Sequence, residues 1–242
     1  IWTAEDPVEI TQHGLRQIQV NAKIGWTFAS ALRSLLRADP DVIKVGEIRH
    51  GETAEIAVEA SLTGHLVLST LHTNSAAETI TRLIDLGVDP FSFADSLQGV
   101  LPQRLVRRLC SACATTDTLP DARLAEMMAD YQAVLPPEHT LLDTDLLRHH
   151  WIKTYGQNGR IKAYHANGCE KCGQTGYKGR LAIHELLSAT PTVRRLIQAR
   201  ARADEVQAEA LREGMRTLRQ DGIEKVLAGL TSLAEVRSTA NA

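Results

Sequence analysis

Through its first hundred positions the chain alternates short apolar runs with amphipathic stretches of ten or so residues. Residues 1–4 read as a strand that gives way to Glu5-Asp6-Pro7, where Pro7 forbids continuation. Residues 8–20 predict a turn and a short strand, and 21–26 a loop. Thr27 caps a helix running to Leu36, with Phe28, Ala31, Leu32 and Leu35 on one face and Arg33 and Arg37 one turn apart on another. Ala38-Asp39-Pro40 breaks that helix, and the apolar run 42–45 stops at Gly46 and hands over to Glu47 and Arg49. Residues 52–62 predict a helix closed by Gly64. The run 65–72 reads as a buried strand with His65 and His72 at its ends, and Ser75 or Asn74 caps a helix over 76–86 that Gly87 stops.

Beyond this point the pattern changes. Residues 89–108 predict a helix and a short basic strand. The stretch 121–150 holds two amphipathic helical patches separated by Pro136-Pro137, 156–168 reads as loop, and 181–186 as strand. From Thr190 onward the pattern is helical and charged. There Arg194, Arg195, Arg200, Arg202, Arg212, Arg216 and Arg219 are expected on a solvated face opposite an apolar stripe.

Strands alternating with helices predict an α/β fold with a parallel sheet, whose successive strands deliver their carboxyl ends to one edge. Ligands of such sheets sit beyond those ends. Glu5, Glu47 and His72 all fall there, so a site on that rim is expected. Taken singly, each residue is more often an acid at a wet turn or a hydrogen-bonded structural histidine; it is their convergence that points to a site.

Composition narrows the class. The 242 residues are 43% hydrophobic and 23% charged, enough for one sizeable domain with attachments. Their 27 basic and 29 acidic side chains nearly cancel, so no overall field drives the chain onto nucleic acid or an anionic membrane. No apolar run approaches a bilayer-spanning length and the first residues carry no signal-peptide pattern, which makes the cytoplasm the expected compartment.

Four cysteines, Cys110, Cys113, Cys169 and Cys172, form two Cys-x-x-Cys pairs. Together they offer a closed tetrahedral thiolate shell for structural Zn²⁺, with an iron centre or unrelated buried thiols as the competing readings. Closing the segment between Cys113 and Cys169 should cost about 3.5 kcal/mol plus a constant. Structural zinc contributes on the order of 10–16 kcal/mol, so the metal can hold it closed.

Three stretches carry a family resemblance: Thr3-Ala-Glu-Asp-Pro-Val-Glu9, Leu36-Arg-Ala-Asp-Pro-Asp-Val-Ile43 continuing into Val45-Gly-Glu-Ile-Arg49, and Thr63-Gly-His-Leu-Val-Leu-Ser-Thr-Leu-His-Thr-Asn74. Together they resemble the secretion ATPase superfamily. The two cysteine pairs, with Gly176-Tyr-Lys-Gly-Arg180 beside the second, narrow the likeness to the type II secretion and type IV pilus assembly ATPases, the GspE/PilB group. Retraction-type relatives ordinarily lack the tetracysteine insertion.

The resemblance implies a RecA-like P-loop NTPase core over residues 1–108, a tetracysteine zinc insertion over 109–180 and a helical subdomain over 181–242. It makes Glu5 the acid that orients or deprotonates the attacking water and Glu47 the Walker B acid that holds Mg²⁺. His65 and His72 become members of a histidine box sensing the γ-phosphate of ATP, and Arg33, Arg37 or Arg49 candidates for stabilising phosphate charge across a subunit boundary. The implied assembly is a homo-hexamer, peripheral to the cytoplasmic side of the inner membrane. Its partners would be a polytopic platform protein and a membrane-anchored recruiting protein, with no specific nucleic acid.

Two residues depart from the family pattern: His50 stands where an Asp is usual, and Lys44 where the strand usually stays apolar. No Gly-x-x-x-x-Gly-Lys-Ser/Thr occurs, so the core is expected to be incomplete, the phosphate loop to lie upstream of Ile1 and these 242 residues to be inactive alone. An alternative reading is a zinc-stabilised nucleic-acid or protein-binding module presenting Arg104, Arg107, Arg108, Lys171, Lys178 and Arg180.

Overall fold

The computed structural model describes residues 1–240. In chain order its principal elements are β1 (Trp2–Glu5), β2 (Arg16–Gln19), α1 (Phe28–Leu35), β3 (Val42–Val45), α2 (Gly51–Leu62), β4 (Leu66–Ser69), α3 (Ala76–Asp85), α4 (Pro90–Ser96), β5 (Gly99–Val100), β6 (Gln103–Leu109), β7 (Thr115–Thr118), α5 (Asp121–Gln132), α6 (Thr144–Tyr155), β8 (Lys162–His165), β9 (Tyr177–His184), β10 (Leu187–Ser188), α7 (Pro191–Gln198), α8 (Ala203–Arg212), α9 (Leu218–Leu227) and α10 (Leu233–Thr239). Contacts divide the chain into two compact units. One comprises Ile1–Gly99 with Ser188–Gln207, the other Val100–Leu187 with the residues from Ala208 on. This division cuts across the sequence segments 1–108, 109–180 and 181–242, because α7 joins the first unit and α9 and α10 the second.

The first unit is built on a four-stranded sheet in the order β2-β1-β3-β4, in which every pair is parallel. Its helices start where the sequence marks them. Thr27 accepts from the Ser30 amide while the Ser30 hydroxyl reaches back to the Thr27 amide, and Ser75 caps α3 through the Glu78 amide. Leu32, Leu35, Ile43, Val45, Ile56 and Ala60 form a buried cluster that packs α1 and α2 onto one face of the sheet. Fully burying such a side chain stabilises by about 1.5–3 kcal/mol. The other face carries Leu66 and Leu68, which remain 49% and 52% exposed. At the far end of the unit, Arg194 of α7 donates to the carbonyls of Asp95, Leu97 and Ala189, capping the end of α4. That arginine is a structural clamp rather than part of a wet face.

In the second unit β6 and β9 form an antiparallel ribbon, and β7 pairs antiparallel with β8. The sequence reads 156–168 as loop, yet β8 forms there. Its partner β7 is exposed throughout, so β8 shows no inward apolar alternation to betray it. Likewise residues 89–108 hold the seven-residue helix α4 and a seven-residue strand β6, because the end of α4 at Ser96 frees the chain for pairing with β9. Leu124, Met127, Tyr131, Leu147 and Trp151 of α5 and α6 share one core with Ile223, Leu227 and Leu233 from the C-terminal helices. Tyr131 and Trp151 meet edge to face at 5.3 Å between centroids.

Polar bonds lock this arrangement. Glu224 accepts from the Tyr131 and Tyr155 hydroxyls at 2.9 and 3.3 Å and pairs with Arg216 at 2.7 Å. Burial beside that carboxylate pushes the Tyr155 phenol up to about 12. Asp130 takes bonds from Arg237 and Arg219, whose side chain is only 17% exposed, so Arg219 departs from the expected solvated face. Burial works against ionisation of Asp130, but the two guanidiniums outweigh it and hold the carboxyl below its usual value.

Candidate functional site

The parallel register settles which strand ends meet. Ala4 lies opposite Val45, and Val45 opposite Ser69. Just beyond, the Gly46 amide donates to the Ala4 carbonyl at 2.7 Å, and the Ile48 amide to the Thr70 carbonyl at 3.0 Å. Glu5, Glu47 and His72 therefore leave β1, β3 and β4 on the same carboxyl-terminal rim. Gly46 is what permits the close approach. A Cβ there would stand 3.1 Å from the Ala4 carbonyl oxygen, 3.3 Å from the Phe28 ring and 3.4 Å from the Glu5 Cα. The Thr70 hydroxyl adds a bond to the Gly46 carbonyl at 2.6 Å.

Each rim residue has a distinct environment. Glu5 Oε1 accepts from the Thr3 hydroxyl at 2.5 Å and from the Gln17 side-chain amide at 3.1 Å. These donors, with Lys44 nearby, outweigh partial burial and hold the Glu5 carboxyl below the usual glutamate value. Lys44 lies on the exposed side of β3, which accounts for a lysine in an otherwise apolar strand. Glu47, with its side chain 16% exposed, accepts from Arg49 Nε at 2.6 Å, and His72 Nε2 stands 3.6 Å from the same oxygen. Arg49 and His72 are 68% and 88% exposed. The carboxylate raises the Arg49 guanidinium further above its ordinary value. The rim thus holds an ionised acid, a second, largely shielded acid and two exposed nitrogen-bearing side chains, a set suited to a metal-bound phosphate.

The remaining candidates are His65, Arg33 and Arg37. His65 precedes β4 and His72 follows it, so the two flank opposite ends of that four-residue strand. Its Nδ1 sits 3.0 Å from the Ala60 carbonyl and 3.3 Å from the Thr63 hydroxyl. Through these two contacts His65 closes the end of α2. Arg33 pairs with Glu52 at 2.7 Å on an exposed face of α1 and α2, and exposed Arg37 follows the end of α1. His50 precedes α2 without a side-chain capping bond. Sequence reasoning missed Thr3 and Gln17. Alternation along β1 places Thr3 on the same side as Glu5, and a Gln in a short polar strand was the available signal for the other.

The four cysteines converge in the second unit, with their sulfurs all within 4.8 Å of one another. Cys110 to Cys169 and Cys113 to Cys172 are 3.9 Å apart, and Cys169 to Cys172 3.7 Å. Thiolates at about 2.3 Å from a tetrahedral zinc stand about 3.8 Å apart, whereas a disulfide requires about 2.05 Å. The donor set therefore fits a closed metal shell. Backbone amides of Cys169 and Gly176 point at Cys172 Sγ at 3.2 and 3.3 Å. Against the opposing effect of burial they pull that thiol down to about 6, whereas burial pushes Cys113 up to about 12. Gly176 has φ +77°, and a Cβ would stand 2.6 Å from that of Ala166, so the turn that presents its amide requires glycine.

Among the basic residues around the knuckles, Arg107 is already committed. Its guanidinium pairs with Glu235 at 2.6 Å and lies 4.4 Å from the centre of the Tyr177 ring. Arg108, Lys171, Lys178 and Arg180 are exposed.

Comparison with known proteins supplies the context. The chain is 48% identical over 234 residues to the type IV pilus assembly ATPase PilB of Thermus thermophilus, covering 97% of this chain and 24% of that protein. It is 47% identical over 236 residues to the type II secretion system protein E of Dickeya dadantii, covering 98% and 42%. It thus spans well under half the length of these relatives. Among solved structures, a crystal structure of the pilus retraction motor PilT with bound ADP superposes at a TM-score of 0.62 with 27% identity, over 98% of this chain and 51% of that one. The profile described as "Type II/IV secretion system protein" matches residues 1–238, and the chain belongs to that family, in its GspE/PilB group.

Proposed function

We propose that these residues are part of a hexameric motor ATPase that powers assembly of a type IV pilus or of a type II secretion pseudopilus. One observation carries the reading: adjacent parallel strands deliver Glu5, Glu47 and His72 to a single rim. In this reading Mg²⁺ bound to ATP supplies charge neutralisation of the phosphates. Glu47 holds the metal through its water shell, with Arg49 and His72 fixing the carboxylate and His72 free to swing toward a phosphate oxygen. Glu5, ionised at neutral pH, orients and accepts a proton from the attacking water. Arg33 and Arg37, both exposed, would serve a neighbouring subunit's nucleotide. The cysteine cluster holds zinc as a structural ion.

The phosphate cradle is supplied by a segment outside these 242 residues. The half-exposed Leu66 and Leu68 of β4 support this, since they offer apolar surface for further core. The motor works at the cytoplasmic face of the inner membrane with a platform protein and a recruiting protein. Among the described residues no helix is long and apolar enough to cross a membrane.

Hydrolysis assays test this directly. The full-length protein should turn over ATP, and Glu47→Gln should cut turnover about 10²-fold or more while raising the Mg²⁺ concentration needed. The 242-residue chain alone should show none. Robust turnover by that chain, or an unchanged Mg²⁺ requirement in the variant, would contradict the assignment.

A further inference from the structure

We infer that Thr3 and Gln17 are positioning residues for Glu5, saturating one carboxylate oxygen so that the other is presented to the attacking water. The inference rests on the role of Glu5 proposed above. Both donors converge on Oε1, and among the described residues Oε2 accepts no hydrogen bond. A carboxylate gripped at one oxygen cannot spin about its terminal torsion, so the free oxygen keeps a fixed direction.

The grip is itself held in place. Thr3 is fully buried, and its hydroxyl is spent on Glu5. The side-chain oxygen of Gln17 accepts from the Gln12 amide at 2.7 Å, and its nitrogen donates both to Glu5 and to the Ile10 carbonyl at 3.0 Å. Flipping the amide would set its oxygen against the carboxylate and the Ile10 carbonyl, and its nitrogen against the Gln12 N–H. Its orientation is thereby fixed by three partners. The loop between β1 and β2 thus reaches the base through one amide, and ordering that loop orders the base.

The charged groups around Glu5 are few. Lys44 faces it from β3, Asp6 follows it in the chain, and Glu47 and Arg49 stand on the neighbouring strand end; Gln17 and Gln19 on β2 are neutral. The two donors favour the ionised form, so their removal raises the pKa of Glu5. The acid limb of the rate profile must then move to higher pH.

The test is steady-state ATP hydrolysis by the full-length protein against pH. Thr3→Val keeps shape and burial but removes the donor, Gln17→Met removes the amide, and Thr3→Ser retains a hydroxyl. The double variant Thr3→Val/Gln17→Met should lose about 10–10²-fold in kcat with KM for ATP within about twofold, and its acid limb should shift upward. Thr3→Ser should stay near the parent rate. Gln17→Glu, which sets a second anion beside Glu5, should shift the acid limb furthest. An unchanged kcat and pH profile in Thr3→Val/Gln17→Met, alongside an inactive Glu5→Gln, overturns the positioning role and leaves the motor reading intact. Full activity in Glu5→Gln overturns both. A rate loss with an unshifted acid limb, and no rescue by Thr3→Ser, assigns the residues to folding and overturns the inference.

Discussion

The rim of the first unit and the cysteine cluster of the second are opposite kinds of site. At the cysteines four sulfurs gather at metal-shell spacing, two backbone amides point at Cys172 Sγ, and a closed shell leaves no position for a substrate. At the rim, Arg49 and His72 stand mostly in solvent beside the Glu47 carboxylate, and Glu5 has one oxygen gripped and one open. A closed shell serves stability, while an under-coordinated rim has capacity for a ligand that arrives and leaves. Local spacing encodes the first kind and strand topology the second.

Breaking the closed site should produce the largest effect. Stripping zinc with a chelator, or replacing Cys172 by Ser, removes a contribution on the order of 10–16 kcal/mol and should abolish cooperative unfolding of the second unit, read by calorimetry. A metal assay on protein purified without added zinc should find about one equivalent per chain. Less than half an equivalent would defeat the zinc assignment.

The next effect lies in the packing that shares the second unit with the cysteine cluster. Trp151→Ala should cost about 3–5 kcal/mol by denaturant titration, because the ring is buried in the core that α5 and α6 share with the C-terminal helices. The same truncation should leave the zinc content unchanged, separating core from metal.

Acid comes third. Asp130 owes its depressed pKa to Arg237 and Arg219 working against burial, and the Glu235 carboxyl is lowered chiefly by its bond from Arg107. With folded pKa values below the unfolded ones, their stabilisation is complete above the ordinary carboxylate values of 3.8 and 4.5 and is lost as pH falls through the lowered ones. Unfolding of the second unit should therefore become acid-labile below those values, and Asp130→Asn should flatten that dependence. The smallest effect is expected at Arg33. Its exposed pair with Glu52 contributes less than about 1 kcal/mol, so Arg33→Ala should leave thermal stability nearly unchanged. A loss of ATP turnover by the full-length variant would then mark Arg33 as acting across a subunit boundary.

Much of this was legible in the sequence where the physics is local. Thr27 and Ser75 announced their helices because a hydroxyl one position before an apolar period has an amide to satisfy. The cysteine pairs announced their cluster through spacing alone. The rim was legible only in outline: Glu5, Glu47 and His72 could be assigned to strand ends, but their meeting depends on β3 lying between β1 and β4. Residues 156–168 hid β8 because its partner strand is polar, and Arg219 hid its burial because its counter-ion Asp130 lies 89 positions away.

Turnover and binding by Glu5→Gln in the full-length protein test the rim most directly. Glu5→Gln should bind Mg·ATP with a Kd within about threefold of the parent while hydrolysis falls about 10²–10⁴-fold. Hydrolysis at the parent rate, or loss of nucleotide binding in step with activity, would show that Glu5 does not act on the attacking water at this strand edge.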